Sequence, residues 1–311
     1  MSATLLLYNP KAGGGAVLRQ LPTMLAALRL HFPDVESIAT TGPASAGPQV
    51  ATAAQAGTQL VIVCGGDGTL FEAMQGAVHQ KIALAIIPFG TGNVIARDLG
   101  LSMKPLQAIQ QLAQFEKRRV PVGTLARPGD AAPTYFLTAT GAGFHAELMS
   151  LPKPTASASR MHYFFQGLNL IRRNRVEDFD VRIGLLDGTE IALIASELLI
   201  LRARSFGGIL NRWRPGNALT RNDLLAILTR KHNRLALFLF ILRCLLGQAP
   251  LAGVESADNL IAVRATEILC TPRDYEIEAE ADGEPFGILP LHISTIPDAL
   301  TLLLPKNYPN N

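Results

Sequence analysis

Asp67 sits in Gly65-Gly66-Asp67-Gly68-Thr69, one carboxylate among three glycines with a hydroxyl behind it. Backbone N–H groups without bulky side chains can cradle a polyphosphate, and an acid among them can hold Mg²⁺ directly or through water. The rival reading is a tight turn in which Asp67 caps the helix that follows. Two other turns share this style. Tyr8-Asn9-Pro10-Lys11-Ala12-Gly13-Gly14-Gly15 could close over a nucleotide. Pro88-Phe89-Gly90-Thr91-Gly92-Asn93 adds side-chain donors to a glycine turn. Their plain alternatives are a strand-to-helix turn and a cap by Thr91 or Asn93. A fourth stretch, Asp282-Gly283-Glu284, carries two acids near the end of the chain. Asp-Gly there signals a hairpin turn, and by itself Glu284 reads as a solvated residue beside it. No Gly-x-x-x-x-Gly-Lys-Ser/Thr occurs, so the phosphate loop is not of the Walker A type.

Each glycine turn follows an apolar run, 4–7, 60–63 and 82–87, and leads into a helix-like segment. Runs rich in Val, Ile and Leu fit strands buried on both faces. Three such turns gather at one edge of a parallel sheet, where ligands of open α/β sheets bind. The first region alternates further. Helices are expected at 16–30, 44–56, 70–78, 94–99 and 105–117, with a strand at 35–39. Beyond about residue 123 strand candidates dominate: 135–140, 181–186, 190–201, 224–228, 260–270, 275–281, 289–293 and 299–304. Asp187-Gly188 adds a second hairpin signal. The sequence thus predicts an α/β domain with a parallel, Rossmann-like sheet over residues 1–123, then a mainly antiparallel β domain over 124–297. The segment 298–311 is expected to pack back on the first domain.

Two helical insertions are expected in the β domain, around 160–173 and 235–246. Arg172, Arg173 and Arg175 follow the first, and Arg230, Lys231, His232 and Arg234 precede the second. Basic residues beside apolar helices suit an interfacial anchor, and equally suit helices packed on the sheet with solvated ends. Gly141-Ala142-Gly143-Phe144-His145-Ala146 fits Gly-x-Gly-x-x-Ala, but no βαβ unit follows it, so it reads as a structural turn. His145 is a lone histidine without metal partners at ligand spacing.

The 311 residues are 48% hydrophobic and 17% charged, enough for a large core in about two domains. A net charge of +3 and 6% aromatic residues give no footprint for nucleic acid. Three dispersed cysteines, Cys64, Cys244 and Cys270, argue against a disulfide framework and for a reducing, cytoplasmic setting. No leader pattern opens the chain, and the longest apolar run, 235–246, is too short to span a bilayer.

Asn-Pro-x-x-Gly, Gly-Gly-Asp-Gly-Thr and Pro-x-Gly-Thr-x-Asn, in this order and spacing, resemble the diacylglycerol kinase catalytic domain family, which includes bacterial lipid kinases and sphingosine kinases. Gly207-Gly208 and Asp282-Gly283-Glu284-Pro285 extend the resemblance over nearly the whole chain. It implies a first domain like that of NAD kinases and phosphofructokinases that binds ATP, and a second that takes a lipid. It implies ATP contacts at Asn9, Pro10, Lys11, Ala12, Gly13, Thr40, Gly65, Gly66, Asp67, Gly68, Thr69, Leu70, Phe71, Glu72, Thr91, Gly92 and Asn93. It implies Mg²⁺ at Asp67, and catalysis by Glu284 as general base with Asp67 and Asp282. Family members often carry Asp-Asp-Gly at a structural Mg²⁺ site where this chain has Arg221-Asn222-Asp223, which leaves Asp223 as a lesser candidate ligand. The implied activity is ATP-dependent phosphorylation of a diacylglycerol- or sphingosine-like hydroxyl in phospholipid metabolism. Peripheral membrane contact goes with it, and a homodimer is left open. The alternatives are a kinase of a soluble metabolite and a non-catalytic lipid-binding regulator.

Overall fold

The computed structural model describes residues 3–150, 177–204, 217–230 and 260–310. The insertions expected at 160–173 and 235–246, with Gly207-Gly208, Cys244 and the basic residues other than Arg230, lie outside the described residues. The chain divides into two compact units, Met1–Pro121 with Pro297–Asn310, and Val122–Ile296.

In the first unit β1 (Thr4–Tyr8), β2 (Val35–Ala39), β3 (Leu60–Gly65) and β4 (Ala83–Pro88) pair in parallel in the order β4-β3-β1-β2. β3 and β4 are buried along their whole length, as central strands covered on two faces must be. β2 closes the edge and is exposed at Glu36, Ser37 and Ile38. The helices are α1 (Ala16–Arg29), α2 (Ala46–Gln55), α3 (Asp67–Ala77), α4 (Val94–Asp98) and α5 (Pro105–Leu112). α3 buries Leu70, Ala73, Met74 and Ala77, one stripe at the helical repeat. A last strand, β15 (Leu291–Leu304), pairs in parallel with β4 at Thr301 and Leu302.

The second unit is antiparallel. Its strands are β6 (Thr134–Phe136), β7 (Ala139–Gly143), β8 (Phe179–Leu185), β9 (Glu190–Ala195), β10 (Glu197–Leu201), β11 (Leu224–Thr229), β12 (Leu260–Pro272), β13 (Glu278–Ala281) and β14 (Glu284–Ile288), with helix α6 (Phe144–Ser150) after β7. Hydrogen-bonded order runs β14-β13-β7-β10-β11-β12, and the first half of β15 pairs with β12. The Asp187-Gly188 turn joins β8 to β9, and Asp282-Gly283 joins β13 to β14.

Several expectations are corrected. The helix expected over 105–117 ends at Leu112, and β5 (Glu116–Ala126) follows it. Its charged start, Glu116–Arg119, lies toward solvent, while Val120–Leu125 is buried. The strand expected over 190–201 breaks at Ser196 into β9 and β10. The strands expected at 289–293 and 299–304 are one continuous β15. Gly141–Ala146 is the end of a strand and the start of a helix rather than a turn.

Candidate active site

The three glycine turns leave the C-terminal ends of β1, β3 and β4, and hydrogen bonds and close packing hold them together. Asn9 Nδ2 donates to Thr69 Oγ1 at 3.2 Å, tying the first loop to the second. Asn9 Oδ1 accepts the Lys11 N–H at 3.0 Å, so the same amide shapes its own loop. Gly66 and Gly90 meet backbone to backbone: a Cβ on Gly90 would stand 2.7 Å from Gly66 Cα. Only glycine fits so close an approach. Gly13 lies against Phe89, where a Cβ would be 3.3 Å from Cδ1.

Asp67 is the joint between the second and third loops. Its Oδ1 accepts the Val94 N–H at 2.7 Å. The aspartate therefore caps α4, which follows the third loop, and does so from the first turn of α3. Burial pushes its carboxyl above the usual range, against the pull of backbone N–H groups at Val94, Asn93 and Ile95. A Cβ at position 92 would lie 2.8 Å from Asp67 Oδ2. Glycine at 92 thus spares this second oxygen a clash. Among the described residues no group of three or more His, Cys, Asp or Glu is placed to hold a metal. One carboxylate with waters and phosphate oxygens is an ordinary Mg²⁺ environment, so Asp67 fits that ion.

The other expected nucleotide residues divide by what their side chains do. Asn93 is buried at φ 50° and folds onto its own loop, accepting the Gly90 N–H at 2.8 Å and donating to Gly90 O at 2.7 Å. Glu72 Oε2 accepts the Ala46 N–H at 3.3 Å, at the start of α2. Leu70 faces the core. Thr91 and Lys11 are exposed. Thr40 follows β2, its N–H on Tyr8 O at 2.9 Å.

The remaining acids belong to the second unit. Asp282 and Gly283 have φ of 49° and 81°, the pair of left-handed residues a tight hairpin turn requires. The Asp282 carboxylate accepts from Leu137 N (2.7 Å), Thr138 N (2.7 Å), Thr138 Oγ1 (2.6 Å) and Ala139 N (3.1 Å). Burial pushes it up to about 6 despite these donors. Its oxygens are spent on the backbone, so it anchors the turn that carries Glu284. Glu284 is half-buried at the first position of β14.

Asp223 does not fit a metal. Arg221 binds it through two parallel hydrogen bonds of 2.7 Å, and Arg264 adds a third at 2.9 Å. Burial alone would raise the carboxyl, but the two guanidiniums outweigh it and hold it below the usual range. A cation is already present at this carboxylate as arginine.

Sequence reasoning took His145 for a lone histidine and missed Glu197 and Glu280; the three form a buried ionic cluster in the second unit. His145 Nδ1 is hydrogen-bonded to Glu197 Oε1, and Nε2 stands 3.3 Å from Glu280 Oε1. The Gly-x-Gly spacing before His145 was the available signal. Its partners come from strands about 50 and 135 residues further on.

Three interlocked glycine loops at one sheet edge, with one carboxylate among them, make a candidate phosphate site. Residues 3–125 match the family model described as the diacylglycerol kinase catalytic domain. The chain is 30% identical over 314 residues to a diacylglycerol kinase of Mycobacterium tuberculosis (strain CDC 1551 / Oshkosh), covering 97% of this chain and 94% of that one. It is 25% identical over 315 residues to a diacylglycerol kinase of Bacillus subtilis (strain 168), covering 98% and 97%. The fold matches a crystal structure of a diacylglycerol kinase from Bacillus anthracis str. Sterne, with a TM-score of 0.73, 23% identity and 98% of each chain covered. The chain belongs to the diacylglycerol kinase family, and is therefore a lipid kinase that uses ATP. No helix among the described residues is long and apolar enough to cross a membrane.

Proposed function

We propose that this protein transfers the γ-phosphoryl group of ATP to the hydroxyl of a diacylglycerol- or sphingosine-like lipid, with Glu284 as general base. The observation that carries the reading is the match to diacylglycerol kinases over 97% of the chain, a span that includes both the three loops and the 282–284 turn.

Phosphoryl transfer asks the protein mainly for positioning and charge neutralisation. The N–H groups of Gly66, Gly68 and their neighbours would hold the phosphates, helped by the N-terminus of α3. Asn9–Gly13, Thr40 and Thr91–Asn93 would frame the nucleotide. Asp67 would hold Mg²⁺, which when bound neutralises charge on the phosphate oxygens. Asp67 also locks two loops through Val94, so loop geometry and metal affinity depend on one side chain. Glu284 takes the proton from the lipid hydroxyl as that oxygen attacks the γ-phosphorus and ADP leaves. Asp282 keeps the turn in place. Apolar substrate chains call for peripheral contact with a membrane surface in the cytoplasm.

Glu284→Gln tests the assignment. Removing a general base lowers rate by roughly 10²–10⁴-fold. Lipid phosphorylation should fall by that factor while ATP affinity, read by calorimetry, stays within about threefold. Near-normal turnover in the variant removes Glu284 from this role.

A further inference from the structure

The Gly141–His145 motif has no part in the chemistry above, yet it builds the buried ionic cluster. β7 runs between β10 and β13, with Gly143 opposite Glu197 and Gly141 opposite Glu280. The chain then turns into α6, and His145 lies back over the strand. A Cβ on Gly141 would stand 2.6 Å from His145 Cε1 and 2.8 Å from Nε2. A Cβ on Gly143 would stand 2.6 Å from Glu197 Oε2. The two glycines thus make the space that the imidazole and a carboxylate fill.

The cluster reaches the turn before Glu284. Glu280 presents Oε1 to His145 Nε2 at 3.3 Å, and its Oε2 accepts the Gly283 N–H at 2.7 Å. Asp282 secures the other side of the turn on the backbone of 137–139. Burial favours neutral imidazole, but Glu197 and Glu280 outweigh it and push His145 up to about 10. Both carboxylates thus favour the cationic ring, which carries a proton on each nitrogen.

We propose that His145 and Glu280 are positioning residues: His145 fixes the Glu280 carboxylate on the Gly283 N–H, and that bond sets where Glu284 stands. This rests on Glu284 being the base. A base displaced by about 1 Å can cost on the order of 10²-fold in rate, so a turn held from both sides has a direct catalytic use.

The test is lipid phosphorylation kinetics and thermal melting of the full chain for Glu280→Gln, Glu280→Ala, His145→Gln and His145→Asn. Gln at 280 keeps an acceptor for Gly283, and Ala removes it. Glu280→Ala is expected to lower kcat about tenfold or more with the ATP KM within about twofold, and Glu280→Gln, which keeps the acceptor for Gly283 but loses the ion pair with His145, to fall between Glu280→Ala and wild type. At 145, Gln keeps a donor on the Glu280 side and Asn on the Glu197 side, so Gln should retain several-fold more kcat. This pair carries the test if Glu280→Ala does not fold. In a Glu284→Ala background, Glu280→Ala should cause no further loss. The inference is overturned by wild-type kcat in Glu280→Ala, by activity losses that follow melting temperature alike in all variants, or by full additivity with Glu284→Ala. Wild-type kcat in Glu284→Ala alone contradicts the base assignment itself. Loss there with normal kcat in Glu280→Ala contradicts only the positioning role.

Discussion

The two units use carboxylates in opposite ways. In the first, one aspartate joins two loops through the backbone. Asp67 caps α4 at Val94 with one oxygen, and its second lies beside Gly92. The surrounding chemistry is peptide N–H and glycine contact, and it stands within short, contiguous motifs. In the second unit carboxylates come in sets and are mostly closed off. Asp282 is filled by the backbone of 137–139, Asp223 by two arginines, and Glu197 and Glu280 flank one histidine. The contrast follows from topology. A parallel sheet brings successive loops to one edge, whereas an antiparallel sheet brings distant strands side by side. Open carboxylates suit exchange with ligands, and filled ones suit holding a backbone still.

The largest effect should come from separating the two duties of Asp67. Asn keeps an acceptor for the Val94 N–H and removes the charge. Asp67→Asn should therefore melt within a few degrees of wild type, yet lose on the order of 10²-fold in Mg²⁺·ATP affinity, measured by calorimetry with and without Mg²⁺. Equal loss in both conditions would make Asp67 a loop brace only.

A smaller effect separates arginine from metal at Asp223. Asp223→Ala leaves Arg221 and Arg264 without their shared carboxylate, and should cost about 2 kcal/mol. Chelation with EDTA should leave the wild-type melting temperature unchanged. A drop of several degrees on chelation would place a structural cation where the arginines stand.

The smallest effect is a slope. Asp282 is raised from 3.8 to about 6, so between those values the folded state holds more of its proton than the unfolded state does. Its contribution to stability is then greatest below pH 3.8 and is lost as pH rises through 6. Asp282→Asn removes this fall, whatever constant change the amide brings. Parallel stability–pH curves for the two proteins over pH 4–6.5 would contradict the assignment.

The first unit was legible because its signals are local. The apolar runs before the three glycine turns are β1, β3 and β4, and the stripe at Leu70, Ala73, Met74 and Ala77 is α3. That Asp67 caps α4 rather than its own helix was not legible, since Val94 lies 27 positions on. β5 was missed because the stripe of α5 extends in sequence to Phe115 and charges follow; pairing with β15 and β6 overrides that pattern. β15 looked broken at Pro297-Asp298. Proline costs a strand one donor, and Arg119 Nε donates to Asp298 O at 2.9 Å. β14 escaped notice for its Pro285 and Gly287, which an edge strand tolerates. The His145 cluster escaped because no short spacing joins residues 145, 197 and 280.

The most direct measurement of the central claim is transfer of label from [γ-³²P]ATP with Mg²⁺ to mixed diacylglycerol and sphingosine micelles, partitioned between organic and aqueous phases. The account predicts label in an organic-extractable product, lost in Asp67→Ala and in Glu284→Gln. Label confined to an aqueous metabolite, or ATP binding with no transfer to any lipid, would contradict it.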